Sequence, residues 1–328
     1  MMNYDNNYFD WALFRRDVRR DIRDCALFLF LFYAINIVAT VVIETTIVLR
    51  KALGSIFISG DFSIDTITQA ATDGNTLAII SIVGIVAGGM AFMIRRKKRF
   101  FTDLALPAAE PLRPWIFILL VVVTQGIQYA TGAISTFVEY LLPEGISIVG
   151  NYDALVGMLF TPLGLVYVIL IGPVFEELIF RGAIMGPLRK YGDNFAILFS
   201  SLLFGLYHGV VLQMPFAFAM GLVLGYACTR WSLRTSIALH ILTNGISVLI
   251  STEALAIPGG IALLFCGVLT LILFFVFRRQ LMVRIREGRP YYGSTTYANG
   301  FASIAFWLFA AAMIGFAIAQ LFGVTELQ

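Results

Sequence analysis

The 328 residues are 59% apolar and 13% charged, with a net charge of +3, two histidines and three cysteines. A soluble domain carries about a quarter charged residues. At a mean hydropathy of +0.86, this composition excludes a soluble globular enzyme, and the small positive balance gives no footprint for a nucleic-acid partner.

Residues 1–26 read as a cytosolic or interfacial segment. Arg15, Arg16, Arg19, Arg20 and Arg23 alternate with aspartates, while Trp11, Phe14, Val18, Ile22 and Cys25 recur at helical spacing on another face. That is the pattern of an amphipathic helix at a membrane interface. The density of arginines, with no small-residue cleavage site after the apolar run, argues against a cleavable signal peptide. Apolar runs near 20 residues, enough to cross a hydrocarbon layer of about 30 Å, follow at 27–49, 77–94, 115–138, 154–180, 195–212, 214–230, 235–252, 257–277 and 301–322. They predict an all-α polytopic transmembrane helical bundle of about nine spans, with eight also compatible. The alternation of a membrane β-barrel is absent. Three units divide the rest: an N-terminal hairpin with a basic linker over 27–114, a membrane core over 115–277, and a basic loop with a final span over 278–328. Cys25, Cys228 and Cys266 lie far apart and suggest neither a disulfide framework nor a metal cluster.

Charge placement orients these spans. Of 23 Lys and Arg residues, 20 fall in five clusters: 15–23, 95–99 with Arg113, 189–190, 230–234 and 278–289. Nine spans with a cytosolic N-terminus put every cluster on the inner side. Asp61, Asp65, Asp73, Glu144, Asp153, Glu253 and Glu326 then fall outside, and only Arg50 and Lys51 dissent. The expected location is a multi-pass position in a membrane (the plasma membrane, if the source is bacterial), with basic clusters meeting anionic headgroups.

Ionisable groups inside a bilayer mark function by default. Apart from Glu44 and Glu139 near outer span ends, they are Glu176, Glu177 and Arg181 in "EELIFR", His208 in "FGLYH", and His240 with Asn244 in "HILTN". Residues four apart share a helix face, so Glu177 pairs with Arg181, His240 stacks with Asn244, and Phe204 sits one turn before His208. Glu176, about 100° around the helix, has no partner on its own helix. Arg181 then holds Glu177 as a structural charge and leaves Glu176 as the general-base carboxylate. For Glu176 to reach the depth of His208, the helix must run past Arg181 toward Arg189, and a break is expected near Gly172 and Pro173. Tyr207, Tyr226 and Trp231 read as core or interface residues. Gly221 and Gly225, in small-xxx-small spacing, read as close helix contacts. On spacing alone, a proton-coupled transporter uses such a buried Glu/Arg/His set as well as an enzyme does, and a peptide-sequestering or immunity protein is a third reading.

These three motifs, EExxxR, FxxxH and HxxxN in order over roughly 115–275, resemble the CAAX-protease and bacteriocin-processing (CPBP, or Abi) family of intramembrane endopeptidases, which includes the type II CAAX prenyl endopeptidases. The resemblance implies a conical intramembrane cavity, open to the cytosol and laterally to lipid, and a membrane-associated peptide or protein substrate, prenylated CAAX-type tails among the candidates. It further implies that Glu176 activates water, His208 orients it, His240 and Asn244 stabilise the oxyanion, and Glu177, Arg181 and Phe204 orient the site. A zinc reading would use Glu176, His208 and His240 as ligands. A metal-free glutamate mechanism, needing no cofactor, is preferred, because HExxH is missing and zinc would leave no unpaired carboxylate as base.

Overall fold

A computed structural model describes residues 10–58, 73–96, 110–143, 157–159, 161–290 and 292–321. Residues 1–9, the basic residues 97–99, the first residues of the 154–180 span, and Asp61, Asp65, Glu144, Asp153 and Glu326 lie outside them. The described chain is helical: α1 Trp11–Ile58, α2 Gly74–Arg96, α3 Pro114–Leu141, α4 Pro162–Tyr191, α5 Asp193–Tyr207, α6 Gln213–Arg230, α7 Leu233–Ile250, α8 Ala256–Glu287, α9 Ser294–Phe301 and α10 Ile304–Leu321. Among the described residues each predicted span lies mainly on a helix, and the fold is an all-α polytopic bundle.

Seven of these helices (α1 to α4, α7, α8 and α10) are long and apolar enough to cross a membrane. The remaining two predicted spans, α5 and α6, are a 15-residue helix and an 18-residue helix with polar ends. The expected 195–212 span is cut short at His208 because Gly209 adopts φ +60°. That left-handed turn suits glycine and stops a helix. Large apolar side chains face outward all along α8, among them Ile257, Phe265, Leu271 and Phe275. In water such a surface would be an aggregation patch; against lipid it is solvated.

The interfacial face predicted for the N-terminus is covered by protein. Phe14, Val18 and Ile22 are buried, with Phe14 packed edge-on against Tyr191 at 5.9 Å and Tyr292 at 4.8 Å. The segment also runs without interruption into the first span as one 48-residue helix. Lys190 pairs with Asp21 at 2.6 Å and Arg230 with Glu110 at 2.5 Å, and Asn194 donates to the Ile285 carbonyl at 2.5 Å. The described basic clusters therefore gather at one end of the bundle, termed the basic end below.

α5 and α6 form an antiparallel hairpin at the centre. Gly221 brings its chain within reach of Ser201, and Gly225 lies against Ile197, as the small-xxx-small spacing predicts. Gly205 is tighter still: a Cβ there would sit 2.9 Å from both the Met214 carbonyl oxygen and the Phe218 Cβ. Gly205→Val should lower stability by about 1–3 kcal/mol through overpacking, read as a fall in thermal midpoint in detergent.

Candidate active site

The site begins in α4. Pro173 has no N–H and its ring crowds the preceding turn, so the sequence predicts a break. The helix instead continues to Tyr191 by widening into π-helical turns at Tyr167–Ile171 and Leu178–Met185. Gly172 N–H bonds back to the Tyr167 carbonyl, and the Val168 carbonyl, left without its proline donor, accepts instead from Asn244 Nδ2 at 3.0 Å. The extra residue in each turn relieves the ring clash without breaking the rod. Such bulges often mark functional helices.

This helix turns Glu176 and Glu177 to different surroundings. Glu177 is fully buried and held on three sides. Its Oε1 is 3.3 Å from Arg181 Nη1 and 3.0 Å from His240 Nδ1, and its Oε2 accepts from the Ser236 hydroxyl. Arg181 donates through Nη2 to the Gly221 carbonyl at 3.2 Å and lies over the Phe204 ring at 4.6 Å. The predicted Glu177–Arg181 pair is thus formed, and it ties α4 to α5, α6 and α7. Glu176, whose side chain is 15% exposed, borders a cavity of about 700 Å³ together with His208, His240 and Asn244. Its Oε2 lies 3.7 Å from His240 Nε2. His240 therefore stands between the two glutamates, with each ring nitrogen toward one of them.

His208, half-buried, caps the C-terminal end of α5. Its Nδ1 is 2.9 Å from the Phe204 carbonyl, and the Phe204 ring meets His208 edge-on at 4.8 Å and His240 at 6.0 Å. Phe204 thus spaces and orients both imidazoles, leaving His208 Nε2 free of that anchor. A helix that ends within a membrane leaves carbonyls without partners, and two distant residues supply them. Tyr33 of α1 donates to the Tyr207 carbonyl, and Gln320 of α10 donates to the Gly209 carbonyl at 3.1 Å. Tyr33→Phe should therefore lower stability by about 1–3 kcal/mol by orphaning that carbonyl; thermal unfolding in detergent checks this.

Glu176, Glu177, Arg181, Phe204, His208, His240 and Asn244, the residues the sequence proposes for the site, lie at this one place. Asn244 borders the cavity too, with one amide hydrogen committed to Val168. Tyr207, read as core, lines the cavity, whereas Trp231 is buried and meets Tyr226 edge-on at 5.9 Å. The three cysteines are free thiols. Sequence reasoning missed Ser236, whose only signal was its place one turn before His240. It also missed Tyr33, which lies in the N-terminal hairpin far from any motif. No group of three His, Cys, Asp or Glu among the described residues is disposed to hold a metal ion, and one nitrogen of each histidine is already engaged.

The cavity does not reach the basic end of the bundle. Ile184, Leu188, Leu224, Ala227 and Leu233, all buried, fill the bundle between the site and the basic end. The cavity instead runs the other way, along α3 and α7 to Ser135 and the exposed Ser251.

Residues 158–246 match the family model described as type II CAAX prenyl endopeptidase Rce1-like, and this stretch holds the whole of the Glu/Arg/His/Asn set. Over 106 residues the chain is 36% identical to the membrane-embedded CAAX protease MroQ of Staphylococcus aureus (strain USA300), an alignment covering 29% of this chain and 42% of that protein. The chain thus spans less than half the length of that relative. No solved structure matches it.

Proposed function

We propose that this chain, whose membrane core belongs to the CAAX-protease family, is a membrane-embedded endopeptidase that hydrolyses a peptide bond of a membrane-associated substrate. The observation that carries the reading is the division of labour between adjacent carboxylates. Glu177 is saturated by Arg181, Ser236 and His240, while Glu176 faces the cavity beside two imidazoles.

In the proposed reaction Glu176 takes a proton from a water held against His208 Nε2, and the water oxygen bonds to the scissile carbonyl carbon. The negative charge moves to the carbonyl oxygen. His240 and the second amide hydrogen of Asn244 stabilise that oxyanion, a term worth about 100- to 1000-fold per donor. Glu176 then passes its proton to the leaving nitrogen as the C–N bond breaks. The metal-free route is preferred because one nitrogen of each histidine is already engaged, His208 Nδ1 at the Phe204 carbonyl and His240 Nδ1 at Glu177.

The test is a cleavage assay in liposomes, with farnesylated and unmodified membrane peptides and new termini read by mass spectrometry. Termini made by the wild type and absent with Glu176→Gln support the peptidase and define its substrate class. Binding without cleavage would favour a sequestering protein, and solute or charge flux would favour a transporter.

A further inference from the structure

We infer that the cavity receives an extended peptide from the face of the membrane opposite the basic end, which the positive-inside rule makes the outer face. This rests on the peptidase reading for the identity of the guest, but the direction of entry stands on geometry alone. The cavity ends against Glu176, Phe204 and His240, and behind them lie the buried Glu177, Arg181 and Ser236, with apolar packing beyond. Polar lining residues climb away from that end in two facing stripes: Gln128, Thr131 and Ser135 on α3, and Asn244, Ser247 and Ser251 on α7. Each stripe advances by three and then four residues, the spacing that keeps one helix face. From Arg113 at the basic end, Gln128 lies roughly 22 Å along its helix and Ser135 roughly 33 Å, at about 1.5 Å per residue. Gln213, at the start of α6 and so at the far end from Arg230, also borders the cavity.

The stripes suit a peptide backbone. Thr131, Ser135 and Ser251 spend their hydroxyl protons on carbonyls of their own helices, so their oxygens remain as acceptors for peptide N–H groups. Ser247 shares its single hydroxyl proton between Gln128 Oε1 at 2.7 Å and the Thr243 carbonyl at 2.9 Å. The first of these bonds fixes the Gln128 amide, whose nitrogen has no protein partner among the described residues and is left to donate to a peptide carbonyl. The seven steps from Asn244 to Ser251 cover about 10 Å, enough for about three extended substrate residues. The occupant is thus an unfolded segment lying along α3 and α7, with its scissile bond at Glu176 and about three residues on one side of that bond in the groove.

Single cysteines in a background with Cys25, Cys228 and Cys266 replaced by serine test the direction. Thr131→Cys reports the cavity, and Ser294→Cys, exposed beside Arg15 and Arg19, reports the basic end. A membrane-impermeant maleimide added to intact cells should label Thr131→Cys and spare Ser294→Cys, and inside-out vesicles should reverse the pattern. Labelling of both from one side, or of Thr131→Cys from neither side, would overturn the inference. Reactivity does not depend on catalysis, so a chain that cleaves nothing can still pass, and an active peptidase can still fail. A second readout supplies a peptide cleaved in the liposome panel to one face only of oriented vesicles. Cleavage should be at least about 10-fold faster from the face that labels Thr131→Cys; equal rates from both faces, or faster cleavage from the basic end, would also overturn it.

Discussion

Glu176→Gln should reduce peptide cleavage by about 100- to 10,000-fold, the range of a lost general base, while leaving the protein folded. The substitution keeps the size and shape of the side chain and removes only its ability to take and return a proton. The charge it deletes faces a cavity and contacts His240 at 3.7 Å, too long for a hydrogen bond. No strong native bond is lost, so the thermal midpoint in detergent should stay close to that of the wild type. Peptide affinity should persist as well, because the α3 and α7 stripes are untouched. A mutant that cleaves at the wild-type rate would remove Glu176 from the reaction. A mutant that unfolds would instead make Glu176 a structural charge, and Glu177 would need reconsideration as the base.

The helical bundle was legible because lipid imposes a simple rule: every backbone polar group must be satisfied within its segment, so long apolar runs become helices. The pairing of Glu177 with Arg181 was equally legible, since four residues on one helix fix a face. What escaped was long-range closure. The Ser236 hydroxyl reaches Glu177 across 59 positions, and Tyr33 reaches the Tyr207 carbonyl across 174; no local period encodes either contact. Pro173 misled for a different reason. Proline predicts a break when the helix is assumed to keep its 3.6-residue turn, and α4 escapes by widening that turn and borrowing Asn244 as a donor. Gly209 did carry a readable stop signal, but the surrounding hydropathy concealed it. The shortness of α5 follows from that one residue, and with it the placement of His208 at a helix end facing the cavity.

Arg181→Leu should destabilise the bundle by about 3–5 kcal/mol, the usual penalty for stripping one partner from a buried ion pair. The side chains of Arg181 and Glu177 are both fully buried at their contact, so no water can replace the guanidinium. Ser236 and His240 remain on Glu177, but they do not restore the lost cation, and the Gly221 carbonyl and the Phe204 ring face lose their partner as well. Because those contacts tie α4 to the α5–α6 hairpin, the loss should appear as a lower thermal midpoint and a weaker yield of folded protein in detergent. Pairing the change with Glu177→Leu should recover much of the stability, since it removes the uncompensated charge. It should not recover cleavage, because His240 Nδ1 then has no carboxylate to hold the ring toward Glu176. Glu177→Gln separates the two effects: it keeps an acceptor for His240 and should fold, yet it takes away the negative charge that matches Arg181 and the imidazole. Recovery of both stability and turnover in the Arg181→Leu, Glu177→Leu double variant would show that the buried pair holds helices together and nothing more. Recovery of stability alone ties the pair to the chemistry through His240.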